Sequence, residues 1–161
     1  MSHDGPAEVA LEPAKAADLE ACNRLIARSK AVWPWPPGYL DAALPLLRID
    51  QAYLARNLAL TILEDGRLAG FAAFILEPRQ ALLDHFWIEP DRIGLGIGRR
   101  AFQQMIQPVS AKGIRTLLVY PDPPAEPFYE KLGFVVVGDH VPSRIAGGPQ
   151  FRSFRLDLPN T

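Results

Sequence analysis

LLDHFWIEPDRIGLGIGRR, residues 82–100, decides how this chain is read. The run 81–88 is apolar apart from Asp84 and His85, and its aromatic residues favour a strand over 80–88. Pro90 and Asp91 stop that strand. Gly94, Gly96 and Gly98 follow at alternate positions as a loop, and Ala101, Phe102, Met105 and Ile106 then recur at helical spacing over 99–107. Glycines just before a helix let bare backbone N–H groups face an anion, with the helix dipole behind them. This junction is therefore expected to bind a phosphate, in particular a pyrophosphate.

The rest of the composition narrows the class. A chain of 161 residues suffices for one domain with a real core, so 1–161 is read as a single unit. Its 48% hydrophobic and 22% charged residues are ordinary for a globular protein. A formal net charge of -1 gives no support for bulk electrostatic binding of nucleic acid. The one cysteine, Cys22, excludes an internal disulfide and a cysteine-rich metal site, and no metal is expected. With no signal peptide and no membrane-spanning apolar run, the expected compartment is the cytoplasm and no membrane partner is expected.

Outward from the central stretch, strands are expected over 8–12, 58–63, 68–76, 116–120, 134–137 and 151–158. Helices are expected over 18–32, 39–48 (with a break at Pro45), 51–56 and 125–132, with Asp50 as an N-cap. Asp65-Gly66 is the hairpin signal between the second and third strands. Prolines clustered in 34–37, 121–127 and 142–149 mark irregular segments. With the central strand this makes about seven strands, in an α+β fold whose mixed sheet is flanked by helices.

The strand, then IGLGIGRRAF, then a strand, then Phe128-Tyr129-Glu130-Lys131-Leu132-Gly133-Phe134 resembles the Gcn5-related N-acetyltransferases, the GNAT family. Gly96 and Gly98 take the last two anchor positions of the family's (Gln/Arg)-x-x-Gly-x-(Gly/Ala) turn, while Ile93 stands where Gln or Arg is usual. The segment 28–33, RSKAVW, is similar to the RSKxxW motif of a bacterial subgroup, and 138–148, GDHVPSRIAGG, to its ending. The resemblance implies the GNAT fold, with a mostly antiparallel sheet, and an acyltransferase that moves acetyl from acetyl-CoA to a small-molecule or peptide amine in a ternary complex. It leaves a homodimer open.

The resemblance also implies roles. The cofactor pyrophosphate would lie on the backbone of Ile93, Gly94, Leu95, Gly96, Ile97, Gly98 and Arg99, and the pantetheine arm along Phe86, Trp87 and Ile88, with the Ile88 N–H polarising the thioester. Tyr129 would protonate the departing thiolate. The base is open. The usual fourth-strand Glu is replaced by Leu82, leaving Asp84 or His85, which a regular strand would place on opposite faces, then Glu89 at the strand end, or a water chain or partly neutral amine that needs no single residue. Trp33, Trp35 and Tyr39 are expected to wall the acceptor or to pack as core, and His140, Ser143 and Arg144 lie in a late loop near the same pocket. Pro124 stands where the subgroup carries an Asn that touches the cofactor. Two other readings are weighed: a non-catalytic acyl-CoA-binding or sensing module, which the missing Glu and Asn favour, and a dinucleotide-binding protein. The latter rests on Gly96-Ile97-Gly98-Arg99-Arg100-Ala101, whose first glycine lies too far beyond the strand for that fingerprint.

Overall fold

A computed structural model describes residues 7–159. The strands are β1 (Val9–Pro13), β2 (Leu58–Glu64), β3 (Arg67–Glu77), β4 (Gln80–Ile88), β5 (Thr116–Val119), β6 (Val135–Pro142) and β7 (Gln150–Asp157). The helices are α1 (Leu19–Lys30), α2 (Tyr39–Leu47), α3 (Gln51–Arg56), α4 (Ile97–Ala111) and α5 (Glu126–Lys131). The strands form one seven-stranded sheet in the order β1-β2-β3-β4-β5-β7-β6. Neighbours are antiparallel except β4 and β5, which run parallel.

Local signals account for most boundaries. Asp65 and Gly66 both take positive φ, 49° and 80°, as the tight β2–β3 hairpin needs. The Asp50 carboxylate accepts from the Tyr53 amide at 2.8 Å and so caps α3. Cys22, Leu25, Ile26 and Ser29 form the buried stripe of α1, while Ile97, Ala101, Phe102, Met105 and Val109 form that of α4. The helix α4 packs on one face of the sheet with Phe74, Leu83 and Phe154, while α1 and α3 cover the other over Phe71 and Ala73.

Several expectations are corrected. The helix α4 starts at Ile97, so Gly98 lies in its first turn and not in the loop; Gly96, at φ 82°, caps it. Pro45 does not break α2, which is held by the buried Tyr39 and Ala43, and α4 runs on past residue 107 to Ala111. The last strand but one runs on to Pro142, which puts His140 in β6 and not in a loop. Proline and glycine are tolerated there because β6 is an edge strand, irregular between Val137 and Val141.

Candidate active site

The site begins where β4 and β5 part. Their pairing covers only Gln80, Ala81 and Leu82 against Thr116, Leu117 and Leu118. Past that point a cleft of about 900 Å³ opens between them. The cause lies in β4 itself. Its register with β3 jumps from Phe74↔Leu83 to Ala73↔His85, leaving Asp84 as an extra, bulged residue. The packing shows the consequence: Ala81 and Leu83 belong to the α4 face, yet so do Phe86 and Ile88, a switch from odd to even positions. A one-residue bulge turns every following side chain over. Asp84 and His85 therefore do not point to opposite faces, as regular alternation would require. Both approach Tyr53 of α3, with His85 Nε2 3.7 Å from Asp84 Oδ2.

The bulge also fixes which backbone groups face the cleft. The Glu89 N–H donates to the Ala69 carbonyl at 2.8 Å, so by antiparallel alternation Trp87 and His85 bond to β3. The N–H and C=O groups of Phe86 and Ile88 are then turned towards the open side, a free strand edge that an extended chain can pair with. Trp87 also lines the cleft, and its ring lies 5.9 Å from Lys30 Nζ.

At the far end stands the start of α4. Gly94 and Gly96 have φ of 84° and 82° with open space around them, while a Cβ on Gly98 would come 3.3 Å from Phe128 Cζ. The first residue there to donate back into the helix is Arg100, to the Gly96 carbonyl at 3.1 Å. The amides from Gly94 through Arg99 therefore precede the intrahelical ladder, while the Ile93 N–H donates to the Pro90 carbonyl at 3.4 Å; bare amides so placed at a helix start are the kind that can hold an anion. Gly94, Gly96, Gly98, Arg99 and Ile93 line the cleft. Leu95 is exposed and the Ile97 side chain is core, so these two could contribute only backbone. The Arg100 guanidinium is committed to the Ala7 carbonyl, and Arg92 forms a fork with Glu64. These donors fit a diphosphate: several bare amides, the Arg99 guanidinium beside an Arg92 already paired with Glu64, and no carboxylate among the lining residues of the turn.

Tyr129 lies in the opposite wall, on α5, buried edge-on between Phe128 and Phe134 at ring distances of 5.2 and 5.5 Å. Burial, and then the Asp122 carboxylate, push its phenol well above the ordinary tyrosine value, so it holds its proton. The end of the cleft beside α1 and α2 contains a caged cation. Lys30 Nζ pairs with Asp122 at 2.8 Å, its side chain 5% exposed and that of Asp122 13%. It sits 4.2, 5.4 and 5.9 Å from the rings of Trp35, Tyr39 and Trp87. Trp35 stacks on Tyr39 and its indole N–H donates to the Lys30 carbonyl at 2.7 Å, so it backs the wall while Trp33 and Tyr39 line it. Ser143 and Arg144 also line the cleft.

Lys30, which lines the cleft, and Tyr53, which bonds to Asp84, are residues to which the sequence reading gave no role. For Lys30 a signal existed: it falls on the Cys22–Ile26 stripe of α1, eight residues after Cys22. Cys22 itself is buried, with its thiol pushed up to about 11 by burial, which suits packing and not nucleophilic attack. Among the described residues no group of three or more His, Cys, Asp or Glu could hold a metal ion, and no helix is long and apolar enough to cross a membrane.

Burial lowers the His85 pKa, opposed in part by Asp84. The unfolded chain, titrating near the ordinary value of about 6.5, then binds a proton more readily than the folded one. The stabilising contribution is complete above about pH 6.5 and is lost as pH falls through the lowered folded value. His85→Gln is expected to reduce the fall in Tm between about pH 7 and about pH 5. An equally steep acid limb in the variant would contradict this.

Comparison with known proteins places these features in context. The model of the acetyltransferase (GNAT) family matches residues 20–134. An uncharacterized N-acetyltransferase, ycf52, of Pyropia yezoensis is 28% identical over 102 residues, which are 60% of this chain and 59% of that protein. The chain thus spans less than two thirds of that relative's length. A GCN5-related N-acetyltransferase of Rhodopseudomonas palustris has a similar structure, with a TM-score of 0.79 at 20% identity over 98% of this chain and 100% of that one. The PaiA N-acetyltransferase of Thermoplasma acidophilum, solved in complex with coenzyme A, gives 0.74 at 17% identity, over 93% and 99%.

Proposed function

This chain belongs to the acetyltransferase (GNAT) family, and from that premise we propose that it moves acetyl from acetyl-CoA to an amine by direct attack in a ternary complex. One observation carries the reading: the β4–β5 cleft runs from bare amides at the start of α4, along a free strand edge, to a wall that holds Tyr129. When bound, acetyl-CoA supplies the activated acyl group. Gly94–Arg99 would hold its diphosphate, and the edge groups of Phe86 and Ile88 its pantetheine arm, with the Ile88 N–H donating to the carbonyl as negative charge develops there. That PaiA was solved with coenzyme A supports this choice of ligand.

Asp84 takes one proton from the incoming ammonium and returns it to solvent, to which its side chain is 32% exposed. The neutral amine then attacks. A C–N bond forms, the C–S bond breaks, and Tyr129 donates a proton to the sulfur, to be reprotonated with the second proton lost from nitrogen. A buried phenol is a reluctant acid, but the same dry wall raises the proton affinity of a thiolate, and a short hydrogen bond between them needs little net transfer. We assign the base to Asp84 and not His85, because Asp84 lines the cleft while His85 is 5% exposed and lies behind it.

The acceptor is a small amine with an apolar body. Trp33, Tyr39, Leu46, Leu47 and Phe151 wall that end, and the Lys30 and Asp122 charges neutralise each other. The test is thiol release from acetyl-CoA against a panel of alkyl and aryl amines, amino acids, polyamines and peptides. The reading expects thiol and acetylated amine in equal amounts with at least one apolar amine. Binding of CoA without thiol release across the panel would favour the sensing module instead, a reading to which Leu82, in place of a carboxylate in the cleft wall, lends its support.

A further inference from the structure

We propose that Tyr53 is a positioning residue for acetyl transfer: from α3 it fixes the Asp84 carboxylate on the β4 bulge, and a Trp87–His85 hydrogen bond holds the second group that faces the same oxygen. The inference rests on the assignment of Asp84 as base.

The bulge makes the problem that Tyr53 solves. Asp84 has no partner in the β3 register, so the ladder does not hold its side chain in place. The Tyr53 hydroxyl donates to Asp84 Oδ2 at 2.5 Å, across 31 residues of sequence. Burial and the neighbouring carboxylate both raise the Tyr53 pKa, so the phenol stays a donor. Tyr53 is itself anchored, since its amide donates to the Asp50 cap at 2.8 Å and its ring meets His85 edge-on at 5.4 Å.

His85 completes the arrangement. The Trp87 indole N–H, which can only donate, gives a hydrogen bond to His85 Nδ1 at 2.9 Å. Nδ1 is therefore the acceptor nitrogen, and neutral His85 carries its proton on Nε2, which lies 3.7 Å from Asp84 Oδ2. One side of the carboxylate thus faces two protons, from Tyr53 and His85. Both contacts are made at Oδ2, so Oδ1 is the oxygen left for the amine. With Nδ1 engaged and Nε2 protonated, His85 has no lone pair to offer the substrate and acts through Asp84.

The experiment compares the full chain with Tyr53→Phe, Asp84→Asn and the double variant, using the best amine from the panel. Tyr53→Phe keeps the ring and is expected to lower kcat by up to about 10²-fold, the scale of a catalytic group misplaced by about 1 Å. Its KM for acetyl-CoA and its affinity for CoA should not change. The double variant should be no slower than Asp84→Asn alone, because Tyr53 acts through that carboxylate. Nitrogen-15 spectra of His85 should show Nε2 protonated and Nδ1 bare, with the Nε2 proton shifted in Tyr53→Phe as it takes over the carboxylate. Wild-type turnover by Tyr53→Phe overturns the inference, as does a double variant tenfold slower than Asp84→Asn, or a proton on Nδ1. A wild-type chain that binds CoA but releases no thiol overturns the transfer reading first, and this inference with it.

Discussion

Lys30→Met is expected to lower the unfolding free energy by about 3–5 kcal/mol, the cost of leaving the other member of a buried ion pair unpartnered. Lys30 comes from the end of α1 and Asp122 from the segment after β5, so their 2.8 Å contact spans the two sides of the splay. The cation is also enclosed by Trp35, Tyr39 and Trp87, which come from the proline loop, α2 and β4. Removing it strands the Asp122 carboxylate, at 13% exposure, among aromatic rings. The double change Lys30→Met with Asp122→Asn removes both charges and should recover most of the loss. Urea unfolding of the three proteins checks this. A single variant within about 1 kcal/mol of wild type, the range of an exposed pair, would contradict the clasp.

Tyr129→Phe carries the largest expected effect on turnover. Loss of a general acid typically costs 10²–10⁴-fold, so kcat should fall by about that range. Affinity for CoA should stay within about twofold, because the phenyl ring retains its edge-on packing with Phe128 and Phe134 and no described side chain bonds to the hydroxyl. The split between binding and turnover separates a lost proton from a damaged cleft. Undiminished thiol release by Tyr129→Phe would remove the acid from the mechanism.

Local chemistry made much of this fold legible. The apolar, aromatic-rich run and the bounding turn residues place β4 at 80–88, where it is found, and Asp65-Gly66 and Asp50 act as hairpin turn and N-cap. The glycine turn before α4 is likewise visible, since positive φ at Gly94 and Gly96 leaves few other residues admissible. What was not legible depends on contacts distant in sequence. The Asp84 bulge has no local signature: it arises from how β4 registers against β3, yet it decides which way Asp84, His85 and Trp87 point. Pairing of Lys30 with Asp122 joins positions 92 apart, and Tyr53 meets Asp84 from a helix that reads as a short connector. The extension of β6 through Gly138 and Pro142 defies local propensity because an edge strand needs only one ladder.

The proposed transfer requires coenzyme A in the β4–β5 cleft with its diphosphate on the amides that open α4. The most direct test is to follow backbone amide resonances of the nitrogen-15-labelled chain as CoA is added. The account expects the largest shifts at Gly94, Gly96, Gly98 and Arg99, with a second group at Phe86 and Ile88 on the free edge of β4. Resonances at those positions that stay in place at saturating CoA would contradict it.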